Sequence, residues 1–264
     1  MGRFEGGERY ISTDYTVSES FATGNVNAIS FGTLSLAAGG LIGFLELRTT
    51  DTPNITATLI IRNSYALGNV NADRVTATSG DTYAGGLVGR ITEGFFYTNP
   101  SSQTYRIERS FATGSVSARS AGSGNLFAGG IVGEMNFRVV ALQGFLNNTA
   151  ALGSSVTAMG RGTINIGRVF GSLTNTTASN NFARNNIFVG TMNSYTNNPY
   201  PNFTATTVVS SLTGQHGEDR NSSQFVSSAF WTGNANGNMG LPTSLWDFSS
   251  VSRGYPKLRN LGGQ

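Results

Sequence analysis

The side chains that could carry out acid–base or metal chemistry lie together in one short segment. His216 is the only histidine of the chain, and Glu218 and Asp219 form the only adjacent pair of acidic residues. A histidine beside carboxylates could build a zinc site or a Ser-His-Asp triad, and carboxylates about 5–9.5 Å apart can hydrolyse glycosidic bonds. The His-Glu-x-x-His motif of zinc peptidases is absent, however, and residues 215–220 are typical of a solvated loop. The sequence therefore predicts no catalytic residues.

Composition argues against bound metals, cofactors and nucleic acid. The 264 residues include 35 Gly and no Cys, so thiolate sites and disulfides are excluded. The glycine pairs are followed by Leu or Ile, whereas calcium-binding rolls need Asp and phosphate loops need Gly-Lys-Ser/Thr. Charged residues make up 12% of the chain, its 17 basic side chains are scattered, and no apolar run is long enough to cross a bilayer. We expect no metal, no cofactor, no nucleic-acid partner and no membrane span.

Two short phrases alternate along the chain and recur at regular spacing. The first phrase begins with Ser, Thr or Asn before an aromatic or small residue, and in its clear copies a glycine and a β-branched residue follow. Its copies lie at residues 20–26, 64–70, 110–116, 149–156 and 181–187. The second phrase, Ala-Gly-Gly followed by two aliphatic residues and Gly, lies at 38–43, 84–89 and 128–133, with a degraded copy at 166–171. The glycines of the first phrase, Gly24, Gly68, Gly114 and Gly153, are 44, 46 and 39 residues apart.

This repetition predicts an all-β fold, a single-stranded parallel β-helix (β-solenoid). Glycine or asparagine interrupts the chain often, so short strands are expected, and short strands bury a face only when equivalent copies stack about 4.8 Å apart. We predict a left-handed corner at the glycine of the first phrase. We also expect two coils of about twenty residues per block, hence ~10–12 coils and a rod on the order of 50 Å long. A propeller would need hairpins and a Trp-Asp-like signature, and a sandwich needs no regular repetition.

Aromatic residues fall into two groups with different predicted roles. We expect the aromatic residues of the first phrase to form a stack inside the solenoid; the alternative is an exposed stripe that stacks on sugars. These residues are Phe21, Tyr65, Phe111 and Phe182. The others lie in loops, where recognition usually occurs on a rigid scaffold. The candidate ligand-contact residues are Phe95, Phe96, Tyr97, Tyr195, Tyr200 and Phe203.

Four segments are predicted from these patterns. Residues 1–19 form an N-terminal cap or edge, and residues 20–190 contain the solenoid repeats. Residues 191–229 hold an irregular insertion and the last coils, and residues 230–264, with both tryptophans, form a C-terminal cap. A solenoid needs such caps because open strand edges template aggregation.

The second phrase carries a resemblance to a known family. Its three clear copies, each about seventeen residues after a first phrase, resemble the GLUG repeat family, and residues 230–258 are similar to the segment that often closes such arrays. In the degraded copy Arg168 replaces the second glycine of the pair. The resemblance implies a right-handed β-helix and export, because such repeats occur in bacterial surface proteins, adhesin-like exoproteins and non-catalytic regions of IgA-specific metallopeptidases. The family contributes no catalytic residues.

These patterns predict a non-enzymatic, extracellular or cell-surface β-solenoid that serves as a stalk, an adhesin or a filament-building subunit. Its expected partners are other copies of the chain or a host or cell-surface protein or glycan, and self-association would follow from joining of coil ends. An accessory spacer or substrate-presenting module of a secreted peptidase is the alternative. A polysaccharide-cleaving β-helix enzyme that uses Glu218 and Asp219 is a third hypothesis.

Overall fold

The chain forms parallel strands in stacked sheets. The computed structural model describes residues 3–6, 13–47, 57–94, 103–138, 142–196, 201–233 and 237–259. It is all-β, with 52% strand and 5% helix, and its arrangement is β-helix-like. The short strands follow from the frequent glycine and asparagine residues, which interrupt both helices and long strands.

Five successive repeats supply the strands of the stack. Repeat 1 contains β1 (Arg3–Gly6), β2 (Thr13–Ser18), β3 (Phe21–Ala22), β4 (Val26–Ser30) and β5 (Leu36–Gly39). Repeat 2 contains β6 (Ile42–Leu47), β7 (Ala57–Arg62), β8 (Tyr65–Ala66), β9 (Val70–Arg74) and β10 (Thr82–Gly85). Repeat 3 contains β11 (Val88–Glu93), β12 (Gln103–Ala112), β13 (Val116–Ser120) and β14 (Leu126–Gly129). Repeat 4 contains β15 (Val132–Asn136), β16 (Leu142–Ala151), β17 (Ser155–Met159) and β18 (Ile164–Gly167). Repeat 5 contains β19 (Phe170–Thr174), β20 (Thr176–Ser179), β21 (Phe182–Arg184) and β22 (Phe188–Met192).

The remaining elements follow the last repeat. They are β23 (Thr204–Ala205), β24 (Glu218–Arg220), helix α1 (Ser222–Phe225), helix α2 (Ser228–Thr232), β25 (Trp246–Asp247), a 3₁₀ turn (Val251–Arg253) and β26 (Lys257–Leu258).

Repeats 1 to 4 each make one circuit through four parallel sheets, and repeat 5 supplies strands to sheets 1, 2 and 3. Sheet 1 has the order β1-β6-β11-β15-β19, and sheet 2 runs β2-β7-β12-β16-β21 with the short strands β3, β8 and β20 beside this path. Sheet 3 runs β4-β9-β13-β17-β22, and sheet 4 runs β5-β10-β14-β18. The register places like residues opposite each other: Ala84 lies beside both Ala38 and Ala128.

The expectation of two coils per block is therefore wrong. The two phrases are different corners of the same circuit: the first joins sheets 2 and 3, and the second joins sheets 4 and 1. Five circuits about 4.8 Å apart give a stack about 24 Å high, half the length expected from the sequence. A block of 44 or 46 residues is long because it must supply four strands and their corners.

The left-handed residue of each repeat lies before the first phrase and not at its glycine. Positive φ angles occur at the residue immediately preceding each copy: Glu19, Asn63, Arg109, Asn148 and Asn180. Three of these five are Asn, the non-glycine residue that best tolerates this conformation. These left-handed residues bend sheet 2 and interrupt its backbone hydrogen bonds. Serine side chains bridge the gap, because the amides of Ser20 and Ser64 each donate to the Oγ of the equivalent serine in the next repeat at 3.2 Å. The initial Ser of the phrase is explained by this bond.

The main core fills the inside of the circuit. It is built from aliphatic and small residues that recur at equivalent positions, such as Val70 and Val116 of sheet 3 and Ala84 and Ala128 of sheet 4. These side chains are almost completely buried. Side chains alternate across each strand, so the neighbours of these residues face out of the stack.

The aromatic residues of the first phrase stack outside the main core, contrary to the expectation of an interior stack. The rings of Phe21 and Tyr65 are 5.5 Å apart, and those of Tyr65 and Phe111 are 5.0 Å apart at an angle of 3°. Tyr65 alternates with Ala66, which belongs to the main core, so its ring points outward. The column is buried because the C-terminal segment covers it and forms a second core there.

The C-terminal segment lies along the side of the stack. Phe230 meets Phe182 of repeat 5 at 5.1 Å, Trp231 meets Phe111 of repeat 3 at 5.2 Å, and Trp246 meets Tyr65 of repeat 2 at 5.8 Å. The sequence predicts this segment as a cap over the last coil, but it runs back across the repeats.

The two ends of the stack differ. At the last repeat, β23 pairs antiparallel with β22, β24 pairs with β21, and the Gln215 carbonyl accepts the amides of Val169 and Phe170. Residues 204–220 thus close this end. At the other end, β2, β4 and β5 each have a neighbouring strand on one side only among the residues that the structure describes.

We expect Gly68→Ala to destabilise the fold and Gly24→Ala to leave it unchanged. The two glycines hold the same place in the first phrase, but a Cβ at Gly68 would overlap the carbonyl oxygen of Gly24, whereas a Cβ at Gly24 meets no atom within 4 Å. Overpacking against backbone should cost about 1–3 kcal/mol. Urea unfolding of both variants measures the difference, and equal unfolding free energies would contradict the close stacking.

Candidate functional site

The loop residues predicted to contact a ligand are only partly described by the structure. Phe95, Phe96, Tyr97 and Tyr200 lie outside the described residues. Tyr195 and Phe203 lie within them, and both contact sheet 3. Phe203 packs beside Gly190 of β22, next to the antiparallel strand β23.

Tyr195 holds its segment against the outer face of sheet 3. Its hydroxyl donates to Asp73 Oδ1 at 3.3 Å, and the guanidinium of Arg119 lies 5.6 Å from the centre of its ring. Arg119 also forms a 3.6 Å ion pair with Asp73 and donates to the Thr196 carbonyl at 2.7 Å. Burial, followed by the Asp73 charge, raises the pKa of Tyr195. Its ring and hydroxyl thus connect repeat 5 to repeats 2 and 3.

His216 is buried over the last repeat, where Arg168 contacts both its ring and its backbone. The Arg168 amide donates to His216 Nδ1 at 3.4 Å, and Arg168 Nε donates to the His216 carbonyl at 2.9 Å. Arg168 Nη2 also reaches the Gly217 carbonyl at 3.2 Å and Asp219 Oδ1 at 2.5 Å. The arginine that replaces a glycine of the repeat is therefore completely buried and holds the crossing segment over the last repeat. The expectation of a solvated loop at 215–220 is wrong for His216.

The carboxylates of Glu218 and Asp219 are not arranged as a glycosidase pair. The two residues are neighbours in β24, so their side chains leave the strand on opposite faces. Glu218 pairs with Arg220 at 3.0 Å, while Asp219 pairs with Arg168. Within the described ranges, no group of three or more His, Asp or Glu side chains could hold a metal ion.

A cavity of about 640 Å³ lies at the first repeat, lined by residues of β4, of β5 and the loop before it, and by Gly43, Phe44, Tyr83 and Arg90. Part of its wall is a column of outward-facing side chains on sheet 4. Tyr83 and Phe127 lie opposite each other, with ring centres 4.8 Å apart, but their counterpart in repeat 1 is Ala37. The column therefore lacks a ring at its first position, and the space above Ala37 is open.

Arg90 supplies the charged group of this cavity. Its guanidinium lies 4.5 Å from the ring centre of Tyr83 and 6.0 Å from that of Phe44, and its Nε donates to Glu134 Oε2 at 3.0 Å. These contacts orient the guanidinium. Its terminal Nη1 and Nη2 atoms have no hydrogen-bond acceptor among the residues that the structure describes. They are donors available to a ligand.

Carboxylates lie near the charged and polar groups of the cavity. Glu134 pairs with Arg90, and the Tyr83 hydroxyl donates to Asp81 Oδ2 at 3.1 Å. Burial raises the pKa of Tyr83 and of Glu134, and in Glu134 Arg90 opposes that effect. Among the described residues, the one charged side chain in the lining, Arg90, is thus paired with a carboxylate.

The rim of the cavity is held in place by a buried arginine. Arg74 is completely buried and donates to the carbonyls of Gly32, at 2.7 Å, and of Leu34. It therefore holds the loop between β4 and β5, whose Leu34 side chain is 82% exposed at the cavity mouth. Binding at this rim would require little ordering of the loop.

Sequence reasoning missed this cavity, although its signal is present in the repeats. The residue before the first position of the second phrase is Ala37, Tyr83, Phe127 and Asn165 in successive repeats. The ring present in the second and third repeats is thus absent from the first, at a position that lies outside the recurring phrase.

Lowering the pH should destabilise the closed end through His216. Burial, and then the positive charge of Arg168, lowers the pKa of His216 in the folded protein. The unfolded chain binds a proton near pH 6.5, so stability is fully present above that pH and falls as the pH decreases through it. We expect a lower Tm at pH 5.5 than at pH 7.5. The variant His216→Asn, which keeps an acceptor near the Nδ1 position, should reduce this difference; an unchanged pH dependence would show that other groups cause it.

Comparison with known proteins leaves the family of the chain open. No protein-family model matches it, and a search of curated proteins finds no match. Among solved structures, it is similar to a Bacteroides ovatus protein described as a "putative immunoglobulin A1 protease", with 13% identity and a TM-score of 0.42 over 83% of this chain and 86% of that chain. A likeness this remote does not indicate the activity of this chain. In the part of the chain that the structure describes, no helix has the length and apolar character of a membrane-crossing segment.

Proposed function

We propose that this chain is a GLUG-like, right-handed parallel β-solenoid that acts outside the cell as a non-enzymatic structural or adhesive module. The supporting observation is a stack of parallel strands that carries exposed apolar side chains. Among the described residues, residues 204–220 cover the last repeat, while strands of the first repeat have a neighbour on one side and apolar side chains there are exposed. Edges and apolar patches of this kind are surfaces for binding other molecules.

Three of the seven exposed large apolar side chains among the described residues lie in the first repeat: Ile29, Phe31 and Leu34. Phe31 is 75% exposed and Ile29 is 51% exposed, and both lie on or just after β4, in the first repeat. Arg74 holds the loop that follows, so these side chains project from a fixed backbone. A fixed apolar surface favours recognition because little conformational entropy is lost on binding.

The described repeats form a stack about 24 Å high. Residues 204–220 lie over the last repeat, so joining of copies at that face would have to involve this segment.

The adhesive role predicts that binding depends on the apolar residues of the first repeat. Beads coated with the chain should adhere to epithelial or bacterial cells, and the double variant Ile29→Ser, Phe31→Ser should reduce adhesion severalfold. Val209→Ser is the matched control, because Val209 is 67% exposed in the segment that closes the opposite end. Equal adhesion by all three proteins would contradict the proposal.

Two further measurements separate the alternatives. Sedimentation over a wide concentration range shows whether the partner is a second copy of the chain. Turnover of a polysaccharide or a peptide by the purified chain would overturn the non-enzymatic role. Protease treatment of intact cells that express the gene tests the extracellular location, since an exported module should be cleaved without cell lysis.

A further inference from the structure

We propose that the cavity above Ala37 binds a neutral sugar ring. This inference rests on the adhesive half of the proposed function and gives it a ligand class and a site. The shape of the cavity is the first argument. In the next two repeats the same position holds the rings of Tyr83 and Phe127, so the space left by Ala37 is at least ring-sized. Its volume of about 640 Å³ lies within the ~300–1,000 Å³ range of small-molecule sites.

The walls combine apolar surface with a few polar groups. Leu34, Leu36 and Phe44 provide apolar and aromatic surface, against which the C–H face of a pyranose can pack. Asn27 and Ser35 add polar side chains to the lining. A mostly apolar cavity with a small number of placed polar groups is the usual form of a small-molecule site.

Arg90 provides the directional contacts. Its Nε bond to Glu134 and its position over the Tyr83 ring hold the guanidinium, and its two terminal nitrogens can donate to neighbouring hydroxyl oxygens of one sugar. A planar fork with a fixed orientation matches a pair of adjacent oxygens better than a flexible ammonium does.

Charge favours a neutral ligand over an anion. Among the residues that the structure describes, the guanidinium of Arg90 is paired with Glu134. An anionic ligand would have to compete with that carboxylate for the cation. A neutral polyol needs no charge compensation, because hydrogen bonds to its hydroxyl groups are sufficient.

Saturation-transfer NMR of the whole chain with methyl glycosides of glucose, galactose, mannose and N-acetylglucosamine tests the site. At least one glycoside should receive saturation at neutral pH. Ala37→Phe places the ring of the following repeats in the cavity and should abolish the signal. Asn165→Phe, which adds a ring at the equivalent position of repeat 4, is the control and should leave the signal intact.

Arg90→Lys keeps the charge and removes the planar fork. It should weaken the affinity roughly tenfold, the loss expected for a hydrogen bond to a charged group. This variant also keeps the test decisive if Ala37→Phe fails to fold, which thermal unfolding would reveal.

Several results would overturn the inference. The first two are the absence of saturation transfer to every glycoside and binding that neither Ala37→Phe nor Arg90→Lys changes. The third is binding of glucuronate at least as tight as that of the neutral sugars. The fourth is a preference for indole, which has a ring but no hydroxyl groups. A chain that adheres through Ile29 and Phe31 but binds no glycoside would refute the sugar site alone. A chain that binds glycosides but does not adhere to cells would refute the adhesive role as proposed.

Discussion

The close approach of equivalent backbone segments in successive repeats is the constraint on which the structure depends. At the corners of the circuit, a backbone carbonyl of a neighbouring repeat occupies the space that a Cβ would need. A Cβ at Gly68 would overlap the Gly24 carbonyl, and a Cβ at Gly86 would overlap the Gly130 carbonyl. The strands can then hydrogen-bond in register, and each side chain lies over its counterpart. The main core, the aromatic column and the cavity above Ala37 all follow from this register, because each is a column of equivalent positions.

The same register creates a surface that the repeats cannot bury by themselves. The aromatic residue of the first phrase faces outward, and a column of such rings would leave a long apolar stripe in water. The C-terminal segment covers it with Trp231 and Trp246, which contact Phe111 and Tyr65. The two tryptophans thus stabilise the side of the stack, and the fold has two cores on opposite faces of sheet 2.

The last repeat differs from the others at the second phrase. A Cβ at Gly130 would meet the Arg168 carbonyl, and in the last copy Arg168 itself stands where the preceding copy has Gly130. Its guanidinium binds the carbonyls of residues 216 and 217 and the Asp219 carboxylate. The residue that departs from the repeat is therefore the one that holds the closing segment. Among the described residues, the first repeat carries exposed apolar side chains, Ile29, Phe31 and Leu34.

The sequence by itself determined the all-β class, the length of the repeat and the stacking of the phrase aromatics, because all three follow from residue types that recur at fixed spacing. It did not determine that the aromatics face outward, since alternation shows which residues share a face but not which face meets the core. Nor could it show that both phrases belong to one circuit, because spacing along the chain does not distinguish two short coils from one long one. The sequence did not predict the cavity for a related reason. The significance of Ala37 depends on the strand register, which places it in one column with Tyr83 and Phe127. Only the tertiary structure decides such features, since they depend on which distant residues lie side by side.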